Sequence, residues 1–87
     1  NVRDADATLV LSRGKPTGGT LATIDLAASQ NRPCLVVDLL RMPRPETVRA
    51  WLSDNHVKVL NIAGPRESSH PGVHDQALIF LQECLDD

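Results

Sequence analysis

Three short apolar runs, each followed by a stretch with helical spacing, constrain this 87-residue chain more than any other feature. The runs are ATLVLS at 7–12, CLVVDL at 34–39 and VKVLNI at 57–62. The first two, short and mainly apolar, suit strands buried on both faces of a parallel sheet, and the third reads as a strand as well. The first is closed by the Gly and Pro of Arg13–Thr17, the second by the RMPRP loop at 41–45, and the third by AGPRESSHPG at 63–72. After the first loop, Leu21, Ile24, Ala27 and Ala28 recur at helical spacing and predict a helix over 19–30 that stops ahead of Pro33. Pro45 suits the first turn of a helix over 45–54, with Val48, Trp51 and Leu52 on one face. Val73, Ala77, Phe80, Leu81 and Cys84 mark the inner face of a last helix over 72–85, in a segment that runs to Asp87.

Strands alternating with helices imply parallel pairing through right-handed crossovers. The expected fold is therefore α/β, a Rossmann-like three-layer sandwich with a parallel β-sheet, built as a single domain over residues 1–87. A chain this short buries only about 60–65% of the surface that its unfolded form exposes. A three-stranded sheet also leaves two open edges, so the chain is expected to form a homo-oligomer or to pack on a missing amino-terminal half. Its first residue is Asn1 rather than Met, and NVRDAD passes straight into a strand, as in a chain entered in its middle.

Hydrophobic residues at 41% and charged residues at 23% are ordinary globular composition. A net charge of −2 and a pI near 5.8 argue against a nucleic-acid partner, which calls for a clustered basic face. No apolar run approaches the roughly 18 residues needed to cross a membrane, and no signal peptide is visible, so no membrane partner and a cytoplasmic location are expected. Cys34 and Cys84 lie in apolar surroundings and read as reduced, buried thiols.

In parallel α/β sheets the loops leaving the carboxyl ends of the strands share one edge, and ligands bind there. The first such loop carries Thr17-Gly18-Gly19-Thr20, which places backbone N–H groups at a helix N-terminus, where the partial positive charge favours an anion. The same residues also fit a plain helix start that needs glycine or a threonine cap. Asp38 ends the second strand about 20 residues beyond the glycines, a place where dinucleotide-binding folds keep an acid for a ribose hydroxyl. In the third loop Gly64-Pro65 turns the chain, Arg66 offers a fork of donors for phosphate or carboxylate, and Ser68 and Ser69 add hydroxyls. A solvated surface loop is the alternative there. His70 and His74 are separated by Pro71 and Gly72, which breaks a helical pair of metal ligands, and no metal bound directly by side chains is expected.

The segments NVRDADATLVL, PTGGT ahead of a helix, RPCLVVDL, LNIAGPRES and HPGVHDQALIFL together resemble the carboxyl-terminal half of the putative molybdenum carrier family. That family is similar to the molybdenum cofactor carrier proteins and belongs to the Rossmann-like SLOG group of nucleotide-binding domains. The resemblance covers nearly the whole chain. It implies a carrier rather than an enzyme, one that takes a small anionic, phosphate-bearing ligand, either molybdenum cofactor (molybdopterin) or a nucleotide. It places Asn61, Gly64, Pro65, Arg66, Glu67 and Ser68 at the site beside Thr17, Gly18, Gly19, Thr20 and Asp38, with Lys15 suited to the ligand's anionic ends. Family members carry a further glycine-rich anion loop in an amino-terminal half, so the resemblance leads one to expect this chain to be the carboxyl-terminal half of a larger carrier-type domain.

Two other readings stand beside it. TGGT also resembles the phosphate loop of nucleoside monophosphate phosphoribohydrolases, the lysine decarboxylase-like enzymes, but those carry a catalytic glutamate soon after the loop, whereas this helix offers Asp25 alone. A non-catalytic oligomeric assembly module is the third.

Overall fold

The computed structural model describes residues 2–85. Asn1, the first residue of the NVRDAD segment, and Asp86 and Asp87, at the end of the last expected helical segment, lie outside the described residues.

The order is β1 (Ala7–Ser12), α1 (Gly18–Ser29), β2 (Cys34–Asp38), a 3-10 turn (Leu39–Arg41), α2 (Pro45–Asp54), β3 (Leu60–Ala63) and α3 (Val73–Leu85). The strands pair in the order β2-β1-β3, and both pairings are parallel. Leu9 of β1 stands opposite Leu35 of β2 and Ile62 of β3. The expected α/β Rossmann-like architecture is therefore the observed one.

One face of the sheet builds the main core. Leu9 and Leu11 of β1 and Val37 of β2 pack against Val48 of α2 and against Val73, Phe80 and Cys84 of α3. Each fully buried Val, Leu or Phe contributes about 1.5–3 kcal/mol relative to exposure. Thr8 and Val10 point to the opposite face, where α1 covers them with Thr20 and Ala27. Three layers result: α1, the sheet, then α2 with α3.

Several sequence expectations are corrected. Only β1 is buried along its whole length, because it is the central strand; β2 and β3 are edges and stay half-exposed. β3 begins at Leu60 rather than at residue 57. The N–H groups of Lys58 and Val59 donate to the Asp6 carboxylate at 2.8 and 2.9 Å, and that of Val57 donates back to Leu52 at the end of α2. These donors are held by a side chain and a helix end, so the ladder starts later. On α1 the buried positions are Thr20 and Ala27, while Leu21 is 46% exposed and Ala28 is exposed too. Because α1 lies over β1 and β2 with no second helix beside it among the described residues, its Leu21 side meets no neighbour that would bury it.

Candidate functional site

The chain leaves β1 for α1 on one face of the sheet and leaves β3 for α3 on the other. The two loops therefore diverge between adjacent parallel strands, and this divergence opens a crevice at the carboxyl edge, the place where such sheets bind ligands. A cavity of about 390 Å³ occupies it, walled on one side by Thr17–Thr20 and on the other by Gly64, Pro65, Arg66, Ser69 and His70. The loop after β2 opens elsewhere, along the outer edge of β2.

The amino end of α1 lacks the groups that usually serve a helix start. Thr17 is extended and makes no side-chain cap, and the first turn contains no acidic residue. Its early N–H groups have no intrahelical acceptor, and Gly18 holds a φ of +56°, a left-handed conformation that favours glycine. The other two helices are provided for. α2 has Pro45 in its first turn, where a missing N–H costs nothing, and Glu46 beside it. At the start of α3 the Glu67 carboxylate accepts from the N–H of Gly72 at 2.5 Å and of His74 at 3.1 Å. Those bonds, Gly72's foremost, hold the Glu67 carboxyl below the usual glutamate range.

A belt of polar contacts fixes the rim. Gly14 in the β1–α1 loop donates its N–H to Asp38 at 2.9 Å, and Leu40 donates to the same oxygen at 2.9 Å. These bonds, with Arg41 at 3.6 Å as a weaker influence, depress the Asp38 pKa. Arg13 crosses from the same loop to the third one, donating to Gln76 Oε1 at 2.7 Å and to the Pro71 carbonyl at 2.8 Å. Gln76 in turn reaches the Leu39 carbonyl at 3.3 Å. All three strand-to-helix connections are tied together before any ligand arrives.

Electrostatically the crevice differs from the chain as a whole. Among the described residues no carboxylate lines it, although the net charge is −2. Arg66 lies on its wall, and a small adjoining recess is bordered by Arg13 and Lys15. The Arg66 guanidinium makes no hydrogen bond or ion pair among the described residues.

The structure thus brings Thr17, Gly18, Gly19, Thr20, Gly64, Pro65 and Arg66 to one crevice. Asp38, Asn61, Glu67 and Ser68 are not on its wall. Asp38 fixes the rim loops, Glu67 caps α3, and Asn61 reaches towards the Thr8 hydroxyl at 3.5 Å. Asp25 is exposed on α1, away from the cavity. Sequence reasoning missed Arg13 and Gln76, whose pairing spans 63 positions and leaves no local signal, and it weighed His70 only as a metal ligand. Among the described residues no group of three or more His, Cys, Asp and Glu is placed to hold a metal, and no helix is long and apolar enough to cross a membrane.

The fold and its loops have a counterpart among solved structures. A crystal structure of a putative molybdenum carrier protein from Syntrophus aciditrophicus SB superposes with a TM-score of 0.88 at 35% sequence identity. The match covers 97% of this chain and 55% of that one, so this chain spans about half the length of its neighbour. No protein of curated function shows a significant match. Residues 1–85 match the model of the circularly permutated YpsA SLOG family, and the chain belongs to that family.

Proposed function

We propose that this chain is a carrier-type binding module that holds a phosphate-bearing anion, either molybdenum cofactor or a nucleotide, in the crevice between the β1–α1 and β3–α3 loops. The observation that carries the reading is the uncapped, acid-free amino end of α1 facing Arg66 across a cavity that no carboxylate of the described residues lines. The helix end supplies N–H donors and a partial positive charge, and the guanidinium supplies a full one. Thr17 and Ser69 add hydroxyls for the ligand's remaining oxygens. The molybdenum carrier name of the Syntrophus neighbour points to molybdenum cofactor as one cargo, whose terminal phosphate fits the donor set. In this reading any metal arrives with the cargo rather than on protein side chains, and the work is done in the cytoplasm.

The same reading has the crevice completed by further polypeptide, an amino-terminal half or a second copy of the chain. The neighbour's greater length supports this, as do α1's solitary position on its face and the exposure of Leu21, Leu26 and Val36.

Titration of pyrophosphate, a nucleoside monophosphate and molybdenum cofactor into wild type, Gly19→Val and Arg66→Ala tests the site. An added Cβ at Gly19 meets nothing of the protein within 4 Å, so valine occupies ligand space while the fold is spared. Arg66→Ala removes a charge-assisted contact worth about 1.5–3 kcal/mol, or roughly 10- to 150-fold in affinity. Added salt should shrink the arginine effect and leave the valine effect standing. If all three proteins bind alike, the glycines form a turn and nothing more.

A further inference from the structure

We infer that the outer edge of β2, with the loop that follows it, is a docking surface for an acidic, extended segment of a partner protein, which adds to the sheet as a further strand. The surface shares no residue with the crevice at α1 and is independent of the anion reading. The Pro33 carbonyl accepts from the Thr8 N–H at 2.9 Å, and the Val37 carbonyl accepts from the Ser12 hydroxyl at 3.4 Å, so both turn towards β1. Backbone polar groups alternate sides along a strand, so Cys34 and Val36 turn theirs outwards, where no strand pairs among the described residues. Edges that avoid partners carry proline, lysine or a bulge. Residues 34–38, CLVVD, contain no proline or lysine, and their register with β1 runs unbroken from Cys34 to Asp38.

The side chains along the edge define the partner. A groove of about 320 Å³ runs between β2 and the start of α2, with Leu35, Val37 and Val48 among its walls, and it suits the aliphatic side chains that one face of an added strand presents. Arg41 and Arg44 also line it, and both are exposed. Asp38 is the one acid on the groove among the described residues, and its carboxylate is already taken by the N–H groups of Gly14 and Leu40 and by Arg41. The Arg44 side chain makes no hydrogen bond or ion pair among the described residues. On the loop between the arginines Leu40 is 63% and Met42 is 90% exposed, and Met42 holds a φ of +49°, a conformation that costs a residue other than glycine. In strand addition the main chain supplies affinity and alternate side chains supply selectivity. Here the groove selects aliphatic groups and the arginines select carboxylates. A second copy fits the edge less well: antiparallel pairing of two β2 strands about Val36 would bring Arg32 of one copy towards Arg41 of the other, cation against cation.

The probe is a short labelled peptide of alternating valine and threonine with a run of glutamates at one end, made with the run at either end and compared with counterparts that carry lysine for glutamate. At least one acidic peptide should bind wild type about 10-fold or more tighter than its lysine counterpart, and added salt should narrow the difference. Arg44→Glu, which leaves no partner unpaired and places an acid at the amino end of α2, should erase that preference. Val36→Pro removes an outward N–H, a change that an edge strand tolerates, and should abolish binding, with circular dichroism verifying the fold. On the untouched protein, methylating one alternate set of the peptide's nitrogens should abolish binding and methylating the other should not, because an added strand turns only one set towards the edge. Failure of both acidic peptides to exceed their lysine counterparts overturns the inference. Binding that survives Val36→Pro, or that survives methylation of each set, overturns it too. Sedimentation without peptide supplies the last outcome: a wild-type dimer that Val36→Pro dissolves would give the edge to a second copy and overturn the acidic partner.

Discussion

Gly64→Ala is a test of how tightly β3 is pressed against the central strand. An ideal Cβ at this position lies 2.7 Å from the Leu11 carbonyl oxygen, where ordinary contact begins at 3.4 Å, a shortfall of about 0.7 Å. The obstacle is backbone, and it belongs to the strand that pairs on both sides, so it cannot swing away as a side chain would. Relief has to come from Gly64 and Pro65, which also form one wall of the crevice. Overpacking of this kind costs about 1–3 kcal/mol, offset by about 0.4–1 kcal/mol because alanine restricts the unfolded chain. A net loss of about 1.5 kcal/mol corresponds to a Tm lower by roughly 6–12 °C for a domain of this size. Gly19→Ala is the control: its Cβ meets nothing within 4 Å, so only the entropic gain remains and the Tm should hold or rise by a few degrees. Thermal unfolding followed by circular dichroism, with calorimetry to verify a single transition, ranks the proteins Gly19→Ala, wild type, Gly64→Ala from highest to lowest. A Gly64→Ala protein melting within about 2 °C of wild type would refute the close approach of β3 to β1.

Acid should loosen the fold through Asp6, Asp38 and Glu67, each of which accepts two backbone N–H groups and titrates below its ordinary value in the folded state. Stability from such groups is complete above the unfolded pKa of about 4 and is lost as pH falls through the lowered folded values. The urea midpoint should hold between pH 7 and 5 and decline from about pH 4.5 downward, less steeply in Asp38→Asn and Glu67→Gln; a midpoint constant to pH 3 would contradict this. Burial pushes the thiols of Cys34 and Cys84 up, and both are free. A thiol reagent at pH 8 should therefore label Cys84 only on unfolding, and rapid stoichiometric labelling of the native protein would contradict its place in the core.

The order of strands and helices was legible because apolar runs and helical spacing are local properties of the chain. Val48, Val73, Phe80 and Cys84 were placed in the core from spacing alone, and the crevice followed from the rule that strand-to-helix loops share one edge. Four kinds of fact came only from the assembled structure. Which strand is central depends on pairing, and pairing left β2 half-exposed although its apolar run resembles that of β1. The inward face of α1 depends on what lies beneath it: Thr20 and Ala27 sit over β1 and β2, while the apolar Leu21 stays outside. The start of β3 was set by Asp6, more than 50 positions away, whose carboxylate takes the N–H groups of Lys58 and Val59. Glu67 and Asp38 stand in the loops where a ligand would be met, yet their carboxylates turn to backbone N–H groups that would otherwise go unpaired. The sequence by itself determined which segments become strands and helices, and hence which loops meet at the carboxyl edge. Tertiary structure alone decided which polar groups in those loops are consumed in holding them and which remain for a ligand, because a donor's partner is chosen by proximity in space.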